Sequence, residues 1–344
     1  MRIAAVEHAL PSRKVANEEL IQRILARYAE RASGVPAGEF EFAVRRFFDR
    51  TGAVSRWHRG PGERALDFGV AAARGALDIA GWAAEDVDLL LYVGVGRGSL
   101  EPATANVFHA ALGLKRATCF DILDACASWL RALDVARHML HAGTIRRAMI
   151  LNCEFNFEEY IRWDFRGPDD LARLGAGFTV GEAATATLLE GGDEDEFHVS
   201  FRTRGELHDL CQIPLPNAHQ YLPGPPSEAN PPLGFFAHAI ALNTSAIAML
   251  ERQYKDDPAF AAHKPDVIVG HSTSVPSRDS VARRLELDPA RVVDTFERHG
   301  NTVSASLPLG LSLAVRERRL ERGNRVLLIV GSAGVSTGIC RFRY

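Results

Sequence analysis

The chain has 344 residues, of which 47% are hydrophobic, so it is long enough to bury a large core and to form two lobes. Its 40 Lys and Arg against 43 Asp and Glu give a formal net charge of -3, which argues against a general nucleic-acid-binding protein. Five scattered cysteines without a C-x-x-C pair, and apolar runs too short to cross a bilayer, predict a reduced cytoplasmic protein without a membrane segment.

The first predicted unit is a long helix, a polar turn and a buried strand over residues 66–96. A second apolar run follows and ends in CFDILDACASWLRALDVARHMLHAG, where a helical pattern begins at Cys126. Unpaired backbone N–H groups and the positive end of the helix dipole favour a thiolate at such a junction. Cys126 is therefore a candidate nucleophile, and the alternative is a small buried hydrophobic residue.

The second half of the chain repeats this order. Residues 236–274 again give a helix, a polar linker and a strand, which ends at His271, and residues 305–334 echo residues 130–154. Apolar strands that alternate with amphipathic helices predict buried, mostly parallel sheets. We therefore expect a duplicated α/β fold with halves 1–190 and 191–344 and a seam near 191–196. The Pro-rich residues 214–232 are expected to form a long loop.

Three polar residues lie at corresponding places of the two predicted halves. Cys126 opens a helix, His271 ends a strand, and Asn301 precedes the helix that matches the one after Cys126. Strand ends and helix starts are where α/β sheets gather catalytic groups. A Cys, a His and an Asn suffice to activate a thiol, polarise a thioester carbonyl and stabilise an oxyanion.

The other motifs in the sequence are weaker indications of a catalytic or binding site. GVSTG at 334–338 matches a nucleophile elbow, but only ICRFRY follows it, which leaves no room for the acid and histidine. GVGRGS at 94–99 has Ser99 in place of the third glycine of a dinucleotide loop. The order Cys, His, Asn also occurs in papain-like proteases, where Trp or Tyr follows the cysteine directly, whereas Ala127 does so here. His138 and His141 share a helix face without a third metal ligand, so no metal site is predicted.

At the residues around Cys126, His271 and Asn301 the chain resembles a β-ketoacyl-acyl-carrier-protein synthase III of the thiolase superfamily, over nearly its whole length. The similar segments are RTGAVSRWH (50–58), DILDACASWLRAL (121–133), VGEAATATLL (180–189), GELHDLCQIPLPNA (205–218), HSTSVPSRD (271–279), RHGNTVSASLP (298–308) and GSAGVSTGICRF (331–342).

The resemblance implies a five-layered α-β-α-β-α fold, a homodimer, and condensation of an acyl group with a malonyl unit. Cys126 would take the acyl group from acyl-coenzyme A or an acyl-carrier protein, and the backbone near Ala333 and Gly334 would help to hold the first oxyanion. His271 and Asn301 would assist decarboxylation of a malonyl-carrier thioester. Coenzyme A or phosphopantetheine is then a substrate, and no resident cofactor or metal is expected.

The implied substrate contacts are Glu101 and Trp129 at the acyl pocket, Arg50, and Arg278 near His271, and Arg46 stands at about the place of the coenzyme A entrance. Trp129 could equally be a core residue. The chain departs from the family pattern at Ser272, Glu182, Arg46 and Glu101. Such changes favour a ketosynthase of specialised polyketide or fatty-acid-type metabolism. An acyltransferase to oxygen or nitrogen, and a non-catalytic partner subunit, are the alternatives.

Overall fold

The computed structural model describes residues 1–31, 34–192, 196–223 and 231–344. The strands are β1 (Arg2–Ala9), β2 (Arg13–Ala16), β3 (Ser55–His58), β4 (Leu89–Val93), β5 (Thr118–Ile122), β6 (Arg147–Glu154), β7 (Ala183–Glu190), β8 (His198–Thr203), β9 (Cys211–Gln212), β10 (Phe236–Ala237), β11 (Val267–Gly270), β12 (Val292–Val293), β13 (Arg325–Ser332) and β14 (Ser336–Arg343). The helices are α1 (Asn17–Ala29), α2 (Ala37–Thr51), α3 (Ala65–Ala80), α4 (Thr104–Leu112), α5 (Ser128–His141), α6 (Phe157–Tyr160), α7 (Leu171–Leu174), α8 (Ala239–Asp256), α9 (Pro258–Ala261), α10 (Val275–Arg284), α11 (Phe296–His299) and α12 (Ser306–Arg316).

Two sheets with the same topology form the body of the protein. The first has the strand order β1-β7-β6-β4-β5, and the second has the matching order β8-β14-β13-β11-β12. In each sheet the first two pairings are antiparallel and the last two are parallel. In both sheets an aspartate directly before the strand beside the central one accepts a backbone N–H from the start of the central strand. Asp88, before β4, accepts from Arg147 of β6, and Asp266, before β11, accepts from Arg325 of β13. The predicted duplication is confirmed.

Helices α5 and α12 lie between the two sheets, in the largest apolar cluster of the molecule. Leu130 and Leu133 of α5 pack there with Leu307 and Leu311 of α12. α12 is apolar almost all round, as expected for a helix that is buried on every side. Helices α3 and α4 cover the outer face of the first sheet, and α8 and α10 cover that of the second. The five-layered architecture therefore matches the prediction.

A smaller lobe covers one end of the sheets. It joins α1, α2 and the antiparallel pair of strands β2 and β3 to the residues between β6 and β7, around an aromatic cluster that includes stacked Tyr28 and Phe40. Residues 193–195 of the predicted seam and 224–230 of the predicted long loop lie outside the described residues. In the described part of the chain, no helix has the length and apolar character needed to cross a membrane.

Candidate active site

A cavity of about 1050 Å³ lies where the two halves meet, and Cys126, His271 and Asn301 all line it. Cys126 comes from the end of the first sheet, and the other two come from the second half. The structure therefore brings the three candidate catalytic residues to one place. Corresponding ends of the duplicated halves face each other there, as the position of each residue along its half predicts.

Two matching turns build this end of the molecule. Ala125, with φ +44°, is the first residue of the 3₁₀ turn that leads into α5, and Val303, with φ +49°, is the first residue of the 3₁₀ turn that leads into α12. Left-handed backbone is costly for residues with a Cβ and is typical of functional sites. Cys126 and Ser304 follow these residues and occupy equivalent positions, so only one of the two turns carries a thiol.

The turn with Ser304 is tied down by side chains from the first half. The Ser304 hydroxyl donates to Glu154 and accepts from Asn152 Nδ2 at 2.8 Å. Glu154 also accepts the backbone N–H groups of Val95 at 3.1 Å and Gly96 at 2.9 Å. This buried carboxylate at the end of β6 therefore holds two loops together and fixes the turn that follows Asn301.

The turn with Cys126 is held from the opposite half. Ser332, at the end of β13, accepts from the Ala127 N–H at 3.3 Å and donates to the Asp124 carbonyl at 3.0 Å. Ser332 is the eighth residue of β13, as Glu154 is of β6, so each half clamps the other half's turn. Ala333 follows and lines the cavity with Cys126, and Gly334 is next in the hairpin to β14.

Burial raises the pKa of the Cys126 thiol well above its ordinary value, and nearby Cys211, Glu154 and Asp124 act in the same direction. The expectation of a thiolate at a helix start is therefore wrong for the free protein. Desolvation inside the cavity is the largest cause of the raised pKa, and it outweighs the helix dipole. Cys126 is a neutral thiol at pH 7 until a substrate arrives.

Burial also lowers the pKa of His271, to about 4, so its imidazole is neutral at pH 7. Nδ1 lies 3.0 Å from the Ser306 hydroxyl, whereas Nε2 is buried without a hydrogen-bond partner among the described residues. When Ser306 donates to Nδ1, Nε2 carries the proton and is a donor to any oxygen in the cavity. An unpartnered buried donor beside a cavity is a position prepared for a substrate atom.

Asn301 is oriented by its backbone and by its own side chain. Its backbone N–H donates to the Thr179 carbonyl at 2.8 Å, and its carbonyl accepts from Gly181 at 3.0 Å. Side-chain Oδ1 accepts from the Val303 N–H at 2.9 Å. Because Oδ1 is occupied, the Nδ2 amide is the group that remains for a substrate oxygen.

The three arginines near the cavity differ in their partners. Arg46 and Arg50 lie one turn apart on α2, line the cavity and are exposed. Neither forms an ion pair with any described residue. The Arg278 guanidinium also lines the cavity but is bonded to the carboxylates of Asp279, Asp294 and Glu297, at 3.0, 2.7 and 3.0 Å. The predicted role of Arg278 in binding a substrate is therefore corrected, because its charge is already neutralised.

Two predicted acyl-pocket residues lie elsewhere in the described chain. Trp129 is fully buried between the sheets, and its indole N–H donates to Thr187 Oγ1 at 3.0 Å, so it is a core residue. Glu101 is exposed before α4 and is not part of the cavity wall of its own chain. Glu182 is also not a substrate contact, since its carboxylate accepts the backbone N–H groups of Arg59 and Phe157, at 2.6 and 3.3 Å.

The rival motifs have structural roles. Ser336 of GVSTG lies within β14 and pairs with Thr203 at 3.1 Å, so it is not on a turn into a helix. The amides of Val95 and Gly96 in GVGRGS are bound to the Glu154 carboxylate, which would repel a phosphate. The described residues contain no cluster of His, Cys, Asp and Glu that could hold a metal ion.

Sequence reasoning missed three groups of this site. Ser306 orients His271, Glu154 fixes the turn after Asn301, and Cys211 is a second thiol on the cavity wall. The position of Ser306 on the predicted helix after Asn301 was the one available signal. Glu154 and Cys211 act on residues more than 80 positions away in the chain, and no local pattern indicates such contacts.

Comparison with known proteins agrees with this site. The family model for 3-oxoacyl-[acyl-carrier-protein (ACP)] synthase III matches residues 120–205, and the model for its C-terminal part matches residues 259–344. The β-ketoacyl-[acyl-carrier-protein] synthase III of Rhizorhabdus wittichii is 30% identical, over 98% of this chain and 97% of its own. The chain belongs to this family. The synthase III of Rhodospirillum centenum is 33% identical, over 86% of this chain and 89% of its own.

Solved structures show the same fold. A variant of Xanthomonas campestris OleA superposes with a TM-score of 0.83 at 22% identity, over 99% of this chain and 96% of that one. The 3-oxoacyl-(acyl carrier protein) synthase III, FabH, of Xanthomonas oryzae gives a TM-score of 0.79 at 23% identity, over 99% and 98%. Together with its family, this thiolase-like fold makes the chain a condensing enzyme of the ketosynthase III type.

Proposed function

We propose that this ketosynthase moves an acyl group from a thioester to Cys126 and then condenses it with a malonyl-thioester, with loss of carbon dioxide. The observation that carries the proposal is a pair of free donors in one cavity with a thiol. His271 Nε2 has no hydrogen-bond partner among the described residues. Asn301 Oδ1 already accepts from the Val303 N–H, so the Nδ2 amide of Asn301 is the group that can donate to a substrate. Two neutral donors suit an oxygen that becomes negative during the reaction.

In the first half-reaction the Cys126 sulfur attacks the thioester carbonyl, and the C–S bond to the donor breaks. The thiol proton leaves with the departing donor thiolate, so the products are acyl-Cys126 and a free thiol. Backbone N–H groups of Cys126 and of the Ala333–Gly334 turn are the proposed donors to the tetrahedral oxyanion. Ser332 supports this arrangement, because it joins the Cys126 turn to the end of β13.

In the second half-reaction the carboxylate of the malonyl group leaves as carbon dioxide. The remaining electron pair becomes an enolate, whose oxygen accepts from His271 Nε2 and the Asn301 amide. The enolate carbon then attacks acyl-Cys126, forms the new C–C bond and releases the cysteine thiolate, which takes up a proton. A neutral His271, with a pKa of about 4, is a donor throughout and does not need to ionise.

The proposed donor carries a phosphopantetheine arm, either as coenzyme A or on a carrier protein. Arg46 and Arg50 support this, because both are exposed cations without an ion-pair partner among the described residues, one helix turn apart at the cavity. Arginine is well suited to bind phosphate oxygens. The thioester arrives and leaves as a substrate, and we propose no resident cofactor.

We propose a homodimer in the cytoplasm. β5 is an edge strand whose neighbourhood exposes Leu100, Val107, Phe120 and Leu123, with 68, 46, 37 and 59% of their surface accessible. An exposed apolar edge of this kind favours association with another chain. All five cysteines are free thiols, as in a reducing compartment.

The test separates the two half-reactions with Asn301→Ala. We expect acyl-Cys126 to form at near wild-type rate, while release of labelled carbon dioxide from malonyl-thioester falls by roughly 100-fold, the effect of one lost oxyanion donor. Intact-protein mass spectrometry and carbon dioxide release measure the two steps. The proposal is refuted if the acylated wild-type enzyme releases no carbon dioxide from malonyl-thioesters but transfers its acyl group to an alcohol or amine.

A further inference from the structure

The cavity continues past the catalytic groups into the second half of the molecule, between α8 and α10. Its inner wall consists of buried or half-buried apolar side chains from both helices and the loop that follows α10: Ala246, Ile247, Leu250, Val281, Ala282 and Leu287. Ile268 of β11 forms its floor. We call this part of the cavity the α8–α10 channel.

The equivalent space in the first half, between α3 and α4, is filled. Tyr92 of β4 and Phe108 of α4 stack there, with ring centroids 5.4 Å apart and planes at 11°. Both side chains are buried, and they pack with Ala73, Ala76 and the rest of the outer cluster of the first sheet. One half of the duplicated fold therefore has an aromatic plug where the other has a channel.

The residues that replace the plug follow from the strand register. Tyr92 pairs with the fifth residue of β6, and Gly270 pairs with the fifth residue of β13. Each helix is followed by a residue with left-handed backbone, Gly113 (φ +68°) after α4 and Glu286 (φ +54°) after α10. Phe108 and Val281 each lie five residues before that position, so they are equivalent. Gly270 and Val281 thus stand in place of Tyr92 and Phe108, and the missing ring volume is the channel.

We propose that the α8–α10 channel binds the acyl chain of a medium-chain acyl-thioester. The inference rests on the proposed function, because the chain must belong to a substrate of Cys126 and His271. Apolar walls suit an alkyl chain, and burial of each methylene group adds to binding. The Arg278 charge on α10 does not oppose this, since Asp294 and Glu297 neutralise it outside the apolar part.

Two measures of depth agree on the length of the chain. Asn243, level with Thr273 near the mouth, and Leu250 at the inner end are seven residues apart on α8, which is ~10 Å along a helix. Ile268 and His271 are three residues apart, which is also ~10 Å along an extended strand. An extended chain advances ~1.2 Å per single bond, as the rise of a peptide unit shows, so the channel accepts about eight carbons.

The test uses Val281→Phe, which restores the ring that Phe108 provides in the first half. Acetyl, butyryl, hexanoyl, octanoyl and dodecanoyl thioesters are offered, and single-turnover acylation of Cys126 is followed by intact-protein mass spectrometry. In the wild type we expect kcat/KM to rise about fourfold per methylene up to about eight carbons. In Val281→Phe the octanoyl-to-acetyl ratio should fall by roughly 100-fold.

Two further variants keep the result interpretable. Ala246→Leu narrows the channel from α8 and should lower the same ratio, so the inference does not depend on one variant folding. Ser280→Phe places the same ring on α10 at a position that does not line the channel, and it should leave the ratio unchanged. An unchanged octanoyl-to-acetyl ratio in both Val281→Phe and Ala246→Leu would overturn the inference.

A binding measurement separates this inference from the proposed function. Calorimetric titration of octanoate into the unacylated protein should give a Kd at least tenfold weaker for Val281→Phe than for the wild type. If no thioester acylates wild-type Cys126 but this difference in Kd is seen, the proposed function fails and the channel stands. If Cys126 is acylated but octanoate binds both proteins equally, the channel assignment fails alone.

Discussion

Protonation of single residues decides how the site is activated. Cys126 has a raised pKa and His271 a lowered one, and desolvation is the main cause of both shifts. The resting site therefore holds two neutral groups, instead of the thiolate–imidazolium pair that a cysteine–histidine site often contains. Charge is then created only when the substrate occupies the cavity, where the prepared donors stabilise it.

This state predicts an unusual pH profile for alkylation. Because the Cys126 pKa is raised, its thiolate fraction at neutral pH is below that of an ordinary thiol, and the fraction keeps rising at alkaline pH. We expect the rate of Cys126 carboxamidomethylation by iodoacetamide to increase still at about pH 9.5, where glutathione levels off. Fragmentation of the tryptic peptide 117–131, which carries both Cys119 and Cys126, assigns each adduct to one of the two sulfurs and separates the Cys126 signal from that of the other thiols. A plateau below about pH 8 would show a lowered pKa and contradict the assignment.

At the scale of elements, the exchange of clamps between the halves is the main organising feature. The last residue of β6, Glu154, fixes the turn before α12, and the last residue of β13, Ser332, fixes the turn before α5. Each clamp joins an element to a partner more than 140 residues away in the chain. The duplicated fold therefore aligns the thiol with the two donors through interactions between halves.

The two clamps should affect different half-reactions. Glu154→Gln removes acceptor capacity from a buried carboxylate that fixes the Ser304 turn, so malonyl decarboxylation should fall about tenfold, with less effect on acylation. Ser332→Ala loosens the Cys126 turn and should slow acylation instead. Single-turnover acylation and carbon dioxide release are compared in both variants. Equal loss of both steps in each variant would indicate general destabilisation and contradict the assignment.

The sequence predicted the elements better than the contacts between them. Alternating apolar strands and amphipathic helices, and the echo between the halves, revealed the layers, and local position singled out Cys126, His271 and Asn301. The sequence could not show that Trp129 is a core residue, because the acceptor of its indole N–H is Thr187 of β7, a contact that exists only in the folded chain. Nor could it show that Arg278 is neutralised, because Asp294 and Glu297 approach it only in the folded chain.

For the whole molecule, buried histidines connect folding stability to pH. Burial is the largest cause of the lowered pKa of His8, His58 and His271, each about 4 in the folded protein against 6.5. Between these values the unfolded chain binds more protons than the folded one. The stabilisation is thus fully present above about pH 6.5 and is lost as the pH falls towards 4.

Acidification should therefore lower the free energy of unfolding by at most ~1.4 kcal/mol per pH unit for each of these histidines. Urea denaturation at about pH 7, 6 and 5 measures the slope. His58, which stacks on Phe157 at 3.9 Å, offers the control, because His58→Gln removes one titrating group and should make the slope shallower. A free energy of unfolding that does not fall from about pH 7 to 5 would contradict this prediction.

Ser304 stands in the second half where Cys126 stands in the first, with its hydroxyl engaged by Glu154 and Asn152. The two equivalent turns therefore have different roles: the first carries the nucleophile, and the second has a structural role. Each chain has one loading point, so saturation with a thioester should stop at one acyl group per chain. The Ser304 turn holds the chain directly after Asn301 in place, so the second copy of the motif supports the amide donor while the first copy carries the nucleophile.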